Sequence, residues 1–124
     1  MSFDIYLQDF SDEPEDRSHV VGALLSPLLD DLGQRVRTVD GSASVYGASD
    51  SPLHGLMFNH VEGESAWDLI YDVAVASHWA IMPVGCPICL VDDGLIGLLP
   101  SDLLEDGYVV VHDGADILSA IKAA

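Results

Sequence analysis

The sequence predicts an α+β domain in which helices pack on one face of a mainly antiparallel sheet. Short segments with apolar residues at every second position alternate with segments that have apolar residues at helical spacing. The predicted order is strand, helix, strands, helix, strands, helix. Its first part is the ferredoxin-like β-α-β-β-α-β order, followed by a C-terminal β-α extension. No repeat or linker interrupts residues 1–124, so we expect a single domain.

The first half of the chain predicts a strand, an interrupted helix and a hairpin. Apolar residues alternate with polar ones over 3–8, as in a strand with one buried face. The helical pattern over 20–32 contains Pro27, so either the helix kinks there or a second helix starts at Ser26. The Asp40-Gly41 dipeptide between two extended segments predicts a tight hairpin.

The second half predicts four strands and two longer helices. One helix begins at Glu64 and ends near Trp79, and the last begins at Asp113. A turn is expected at Asp92-Asp93-Gly94, and the apolar segment 95–104 predicts a turn into a short helix. The predicted strands are 55–61, 80–84, 86–91 and 108–112.

The charge of the chain favours some partners and excludes others. Four basic side chains face 21 carboxylates, which gives a formal net charge of −17. Such a surface repels nucleic acid and anionic lipid, whereas it accelerates encounter with a basic protein. We therefore expect a basic protein partner, no nucleic acid and no membrane. Adaptation to high salt is the alternative explanation of the acidity, although Asp outnumbers Glu 16 to 5, which resembles a GC-rich coding bias as much as salt adaptation.

Location in the cytoplasm is expected from the apolar segments and the N-terminal residues. No apolar segment approaches the ~18 consecutive residues that a membrane span needs. The first residues lack the basic region and apolar core of a signal peptide. In that compartment both cysteines are expected to be reduced.

The only short motif with known chemistry is Cys86-Pro-Ile-Cys89. A redox dithiol takes its reactivity from a following helix, but the residues after Cys89 predict a strand and a turn. A zinc site needs two more ligands, and no histidine is placed at a metal-ligand spacing. We therefore expect two small apolar cysteines, no metal and no cofactor.

No motif indicates an enzyme, and we expect no catalytic residue. The phosphate-binding Gly-x-Gly-x-x-Gly and the nucleophile-bearing Gly-x-Ser-x-Gly are both absent. The alternative is a small enzyme or ligand-binding module with a pocket near His60, His78 and Cys86. Convergence of these side chains on one deep pocket would support it.

Two acidic loops are the predicted binding surface for a basic partner. Loops project their side chains better than helix faces do, so they suit a concave basic cleft. No acidic cluster follows the ligand order of a calcium loop. The predicted partner-binding residues are Asp12, Glu13, Glu15 and Asp16 after the first strand, and Asp92 and Asp93 after the cysteine strand.

Four segments together resemble a group of small single-domain bacterial proteins similar to immunity proteins of polymorphic or contact-dependent toxin systems. The segments are Met1–Gln8, Asp40–Gly47, Trp67–Asp72 and Met82–Pro87. The resemblance implies a cytosolic protein that binds and blocks a cognate toxin. A nuclease is the toxin that best suits an acidic inhibitor, because its basic cleft holds phosphates. The matching residues are structural, so the resemblance assigns no binding residue.

Overall fold

The computed structural model describes residues 4–105 and 107–124, which form one seven-stranded sheet and three α-helices. The spatial strand order is β2-β3-β4-β1-β5-β6-β7. The strands are β1 (Ile5–Gln8), β2 (Arg35–Arg37), β3 (Ser42–Tyr46), β4 (Gly55–Glu62), β5 (Ala80–Pro83), β6 (Ile88–Leu90) and β7 (Tyr108–Val110). The helices are α1 (Ser18–Leu25), α2 (Glu64–Ser77) and α3 (Gly114–Ala123), with 3₁₀ helices at Asp93–Leu98 and Ser101–Leu104.

The α+β class and the mainly antiparallel sheet are confirmed. Every neighbouring pair of strands is antiparallel except β6 and β7, which are parallel. The ferredoxin-like order is not confirmed. Three strands separate α1 from α2, and β1 pairs antiparallel with both β4 and β5. The difference arises because the connection 47–54 turns the chain back after the hairpin, which places a third strand beside β1.

The helix predicted over 20–32 is shorter than its pattern. It ends at Leu25, because Pro27 has no amide hydrogen to continue the ladder. Leu29 instead forms an isolated antiparallel bridge with Val36. No second helix starts at Ser26. The apolar residues after Pro27 lie instead at the edge of the sheet, beside β2.

All three helices pack on the same face of the sheet. Ile5 and Leu7 of β1 point toward them and are buried together with Phe58 of β4. Ile70 of α2 and Ile117 of α3 belong to the same cluster, both with no exposed surface. Burying each such side chain contributes about 1.5–3 kcal/mol, so this layer supplies most of the fold's stability. Phe3, the first apolar residue of the predicted strand, lies outside the described residues.

The opposite face of the sheet is covered only in part. The segment 93–104, with its two 3₁₀ helices, packs on β5 and β6, where Leu90 and Leu99 form a second small core. Over β1, β3 and β4 the same face carries Tyr6 and Tyr46, which are 44% and 49% exposed. The alternation of apolar and polar residues thus gives the sheet one face buried under the helices and one face that is partly open to solvent.

Strand direction divides the loops between two ends of the sheet. β4 and β5 run antiparallel to β1. Their outer neighbours, β3 and β6, therefore run in the same direction as β1, and these three strands end at the same end of the sheet. We call this the cleft end, and the other the far end.

Within the described part of the chain, no helix combines the length and the apolar character that crossing a membrane requires.

Candidate functional site: a cleft on the open sheet face

A cleft of about 610 Å³ lies on the open face, at the cleft end of the sheet. Its floor is formed by β1, β4 and β3, and its walls by the loops that follow β1 and β3. The residues that line it include Tyr6, Gln8, Asp9, Tyr46, Asp50 and Met57. Aromatic, amide and carboxylate groups therefore meet in one open depression.

Three side chains of the cleft stand in one row across adjacent strands. Tyr6 of β1 pairs directly with Met57 of β4, and Met57 pairs with Tyr46 of β3. Directly paired residues point to the same face, with Cβ atoms about 4.5–5.5 Å apart. Met57 therefore lies between the two tyrosines, and strand pairing fixes the distance between their backbones.

Gly55 keeps β4 and β1 close together where both strands line the cleft. A Cβ at this position would lie 2.5 Å from the carbonyl oxygen of Leu7, nearer than a carbon atom can approach. The missing side chain lets β4 lie against β1 beside Gln8, its partner in the ladder. The same absence leaves the floor of the cleft open.

Two carboxylates line the cleft, because two loops reach this end of the sheet. Asp9 follows β1, and Asp50 lies in the connection after β3. Both line the cleft, and Asp9 also accepts hydrogen bonds from the Ser11 amide at 2.8 Å and its hydroxyl at 2.6 Å. Pro14 of the first acidic loop lines the cleft as well. The predicted binding residues of that loop, Asp12, Glu13, Glu15 and Asp16, are not among the lining residues.

The six predicted binding residues lie at the same end of the sheet. β1 and β6 flank β5, with Leu7 paired to Ile81 and Ile81 to Cys89, so the two acidic loops start about 10 Å apart. Asp12, Glu13 and Asp93 are exposed there. The sequence could not show this proximity, because it depends on which strands neighbour each other.

Asp16 has a structural role within this set. Its Oδ1 accepts hydrogen bonds from the amide of Ser18 at 2.9 Å and from the amide of Leu53 at 2.9 Å. These bonds, that of Leu53 first, lower the pKa of Asp16 because they stabilise the charged form. Asp16 therefore joins the first acidic loop to the start of α1 and to the 47–54 connection.

Two other predicted residues also make contacts within the chain. Glu15 forms an ion pair with Arg17 at 3.3 Å, with the carboxylate side chain 74% exposed. Asp92 caps the first 3₁₀ helix, since its Oδ1 accepts a hydrogen bond from the amide of Gly94 at 2.7 Å. The exposed ion pair contributes little stability, so Glu15 stays available to a partner.

The structure does not bring His60, His78 and Cys86 together. His60 lies near the far end of β4, and Cys86 lies between β5 and β6, also at the far end. His78 ends α2 at the cleft end, where it lines a small hollow with Phe10 that contains neither of the other two. The alternative site therefore lacks the convergence that would support it.

The cysteine motif is built into the core. Cys89 is fully buried in β6, and burial raises the pKa of its thiol to about 12, with a smaller contribution from Cys86. Cys86 is half-buried and packs against the same cluster. The expected small apolar role is confirmed for Cys89. Among the described residues, no three His, Cys, Asp or Glu side chains are grouped as a metal site would need.

Sequence reasoning missed the tyrosines and two of the acids that define the cleft. Tyr6 occupies a solvent-facing position in the alternating pattern of β1, and an aromatic residue at such a position was the available signal. Asp9 and Asp50 were overlooked because neither belongs to a run of charges.

No protein-family model, curated protein or solved structure matches this chain.

Proposed function

We propose that this chain is an immunity protein that binds a basic toxin and neutralises it in the cytoplasm. The observation that carries the proposal is the open cleft, which is lined by Asp9 and Pro14 of the loop after β1 and by Asp50 after β3. A concave, acidic and partly aromatic surface is suited to a protruding basic surface of another protein. The resemblance to bacterial immunity proteins supports the same class of function.

Charge explains how such an inhibitor would act. At a formal net charge of −17 the chain attracts a basic protein over distances limited by the Debye length, about 8 Å at physiological ionic strength. A nuclease must present cationic groups to hold phosphates. Carboxylates at the cleft end would pair with those cationic groups and so compete with the nucleic acid. No catalytic group of the inhibitor is needed for this action.

Adaptation to high salt remains the competing explanation of the acidity. It assigns no special role to either end of the sheet, and the far end also carries exposed carboxylates, Glu62, Glu64 and Glu105 among them. Neutralising equal numbers of charges at the two ends therefore separates the explanations. Partner binding predicts different effects, whereas bulk adaptation predicts equal ones.

Capture of the partner from the cell that makes this chain tests the proposal. The immobilised chain is exposed to lysate at low ionic strength, and each retained basic protein is then purified and expressed alone or with this chain. We expect one retained protein to be toxic alone and harmless when co-expressed. The proposal fails if no basic protein is retained, or if the retained proteins are harmless by themselves.

A further inference from the structure

The cleft differs from the rest of the acidic surface because its floor is aromatic. Tyr6 and Tyr46 are both about half exposed, although the strands that carry them lie within the sheet rather than at its edges. Exposed aromatic residues at the centre of a concave surface are typical of binding sites. Simple solubility of an acidic protein does not require them.

We propose that the cleft binds an arginine side chain of the basic partner, held between the rings of Tyr6 and Tyr46. This inference rests on the proposed function and names the group that the site recognises. The guanidinium would stack on one or both rings, while Asp9 and Asp50 at the border neutralise its charge. The planar group can satisfy both requirements because its faces stack while its edges donate hydrogen bonds.

The dimensions of the row suit one planar group. Tyr6 and Tyr46 lie on strands separated by β4, so their backbones are about 10 Å apart, at two inter-strand spacings. A group stacked between the rings needs about 3.5–4 Å on each side. Met57 lies between the two tyrosines in this row, so an arginine would pack its aliphatic part on the flexible Met57 side chain.

Charge excludes the other plausible occupants. A second copy of this chain would bring another −17 charges to the cleft, and nucleic acid would be repelled by the same carboxylates. Lysine carries the required charge but offers no planar face, so it would gain less from the tyrosines. An arginine on a basic protein therefore fits both the charge and the shape of the site.

A peptide titration tests the inference without the natural partner. The purified chain is titrated with a short oligo-arginine peptide and with an oligo-lysine peptide of equal length, at low and at physiological salt. NMR of the tyrosine rings and the Met57 methyl reports where each peptide binds. We expect these signals to shift with oligo-arginine, and oligo-arginine to bind more tightly than oligo-lysine.

Three variants make the result specific to the rings. Tyr46→Leu should weaken oligo-arginine binding about two- to five-fold, which is the range of one exposed cation–π contact. Tyr46→Phe keeps the ring and should bind like the parent. Tyr108→Leu is the matched control, since Tyr108 is 45% exposed but lies on the edge strand β7. Unchanged backbone spectra establish that each variant is folded.

Two results would overturn the inference. One is peptide binding that leaves the Tyr6, Tyr46 and Met57 signals unshifted, and the other is equal affinity of the parent and Tyr46→Leu. If either is found while this chain still neutralises a toxin, the proposed function stands and the toxin binds elsewhere. If the rings bind arginine but the chain neutralises no toxin, the proposed function fails and the arginine site stands.

Discussion

The Oδ1 atom of Asp16 accepts a hydrogen bond from the backbone amide of Leu53 at 2.9 Å, and these residues are 37 positions apart in the chain. The bond ties the acidic loop after β1 to the connection between β3 and β4. Leu53 is fully buried, so its amide would otherwise lack water as a partner. One carboxylate at the cleft end thus stabilises two walls of the cleft.

Removing this carboxylate is expected to destabilise the fold. Asp16→Ala leaves the amides of Leu53 and Ser18 without their acceptor, so its urea midpoint should fall below that of the parent. Asp12→Ala is the control, because Asp12 is an exposed neighbour in the same loop. Equal midpoints for the two variants would show that the Asp16 bonds contribute nothing to stability.

The contribution of Asp16 should disappear in acid. Its pKa is lowered in the folded protein, first by the Leu53 amide, so the unfolded chain binds the proton more readily. The stability is therefore fully present above the unfolded pKa, about 3.9, and is lost as pH falls through the folded value. The difference in unfolding free energy between the parent and Asp16→Ala should shrink below about pH 4. A difference that grows in acid would contradict the assigned sign.

The contact between α3 and α2 depends on Gly114. A Cβ at this position would lie 2.4 Å from the carbonyl carbon of Trp67 and 2.4 Å from the amide nitrogen of Asp68. Gly114→Ala should therefore cost about 1–3 kcal/mol, as overpacking does, measured by urea unfolding. Gly97→Ala is the control, since its Cβ would meet no atom within 4 Å. A fully stable Gly114→Ala protein would mean that α3 docks differently.

The two thiols should differ in reactivity. Burial raises the pKa of Cys89 to about 12, which leaves almost no thiolate at pH 8, whereas Cys86 is only half-buried. A disulfide reagent should modify Cys86 in the native protein, and Cys89 only after unfolding in urea. Cys86→Ser should remove the native reaction, and Cys89→Ser should leave it unchanged. Rapid native modification of Cys86→Ser would place Cys89 at the surface.

Local patterns predicted most elements of this fold. The alternation in β1, the hairpin of β2 and β3 and the apolar stripe of α2 each require only nearby residues, and each appears in the structure. The hairpin turn lies one residue before the predicted Asp40-Gly41, at Val39-Asp40, because Arg37 pairs with Ser42 and the Thr38 amide donates to the Gly41 carbonyl.

The helical pattern that continues through Pro27 gave a wrong prediction. Leucines at helical spacing can equally pack at the edge of the sheet, where Leu29 forms an isolated bridge with Val36. Apolar spacing alone does not distinguish these two uses.

The order of strands and the cleft required information that no local pattern holds. β1 lies between β4 and β5, and nothing in its four residues specifies two antiparallel neighbours. The row of Tyr6, Met57 and Tyr46 exists only after that pairing. The acidic loops were predicted from charge, but their shared end of the sheet follows from strand direction.

The structural role of Asp16 determines which acids of the first acidic loop can be neutralised without disturbing the fold. Neutralising Asp12, Glu13, Glu15 and Asp16 together would remove a fold contact as well as charge. The cleaner variant is Asp12→Asn, Glu13→Gln and Glu15→Gln with Asp16 retained, and it is expected to unfold at the parent's urea midpoint. A lower midpoint would show that these three side chains also support the fold.

The most direct test of the central claim is the rate at which the captured partner associates, measured against ionic strength. That three-site variant is compared with a far-end variant that carries Glu62→Gln, Glu64→Gln and Glu105→Gln; each changes the formal net charge from −17 to −14. If the cleft end binds the partner, the first variant should associate more slowly at low salt and show a shallower salt dependence, while the far-end variant stays close to the parent. Equal rates and equal salt slopes for the two variants would contradict the claim.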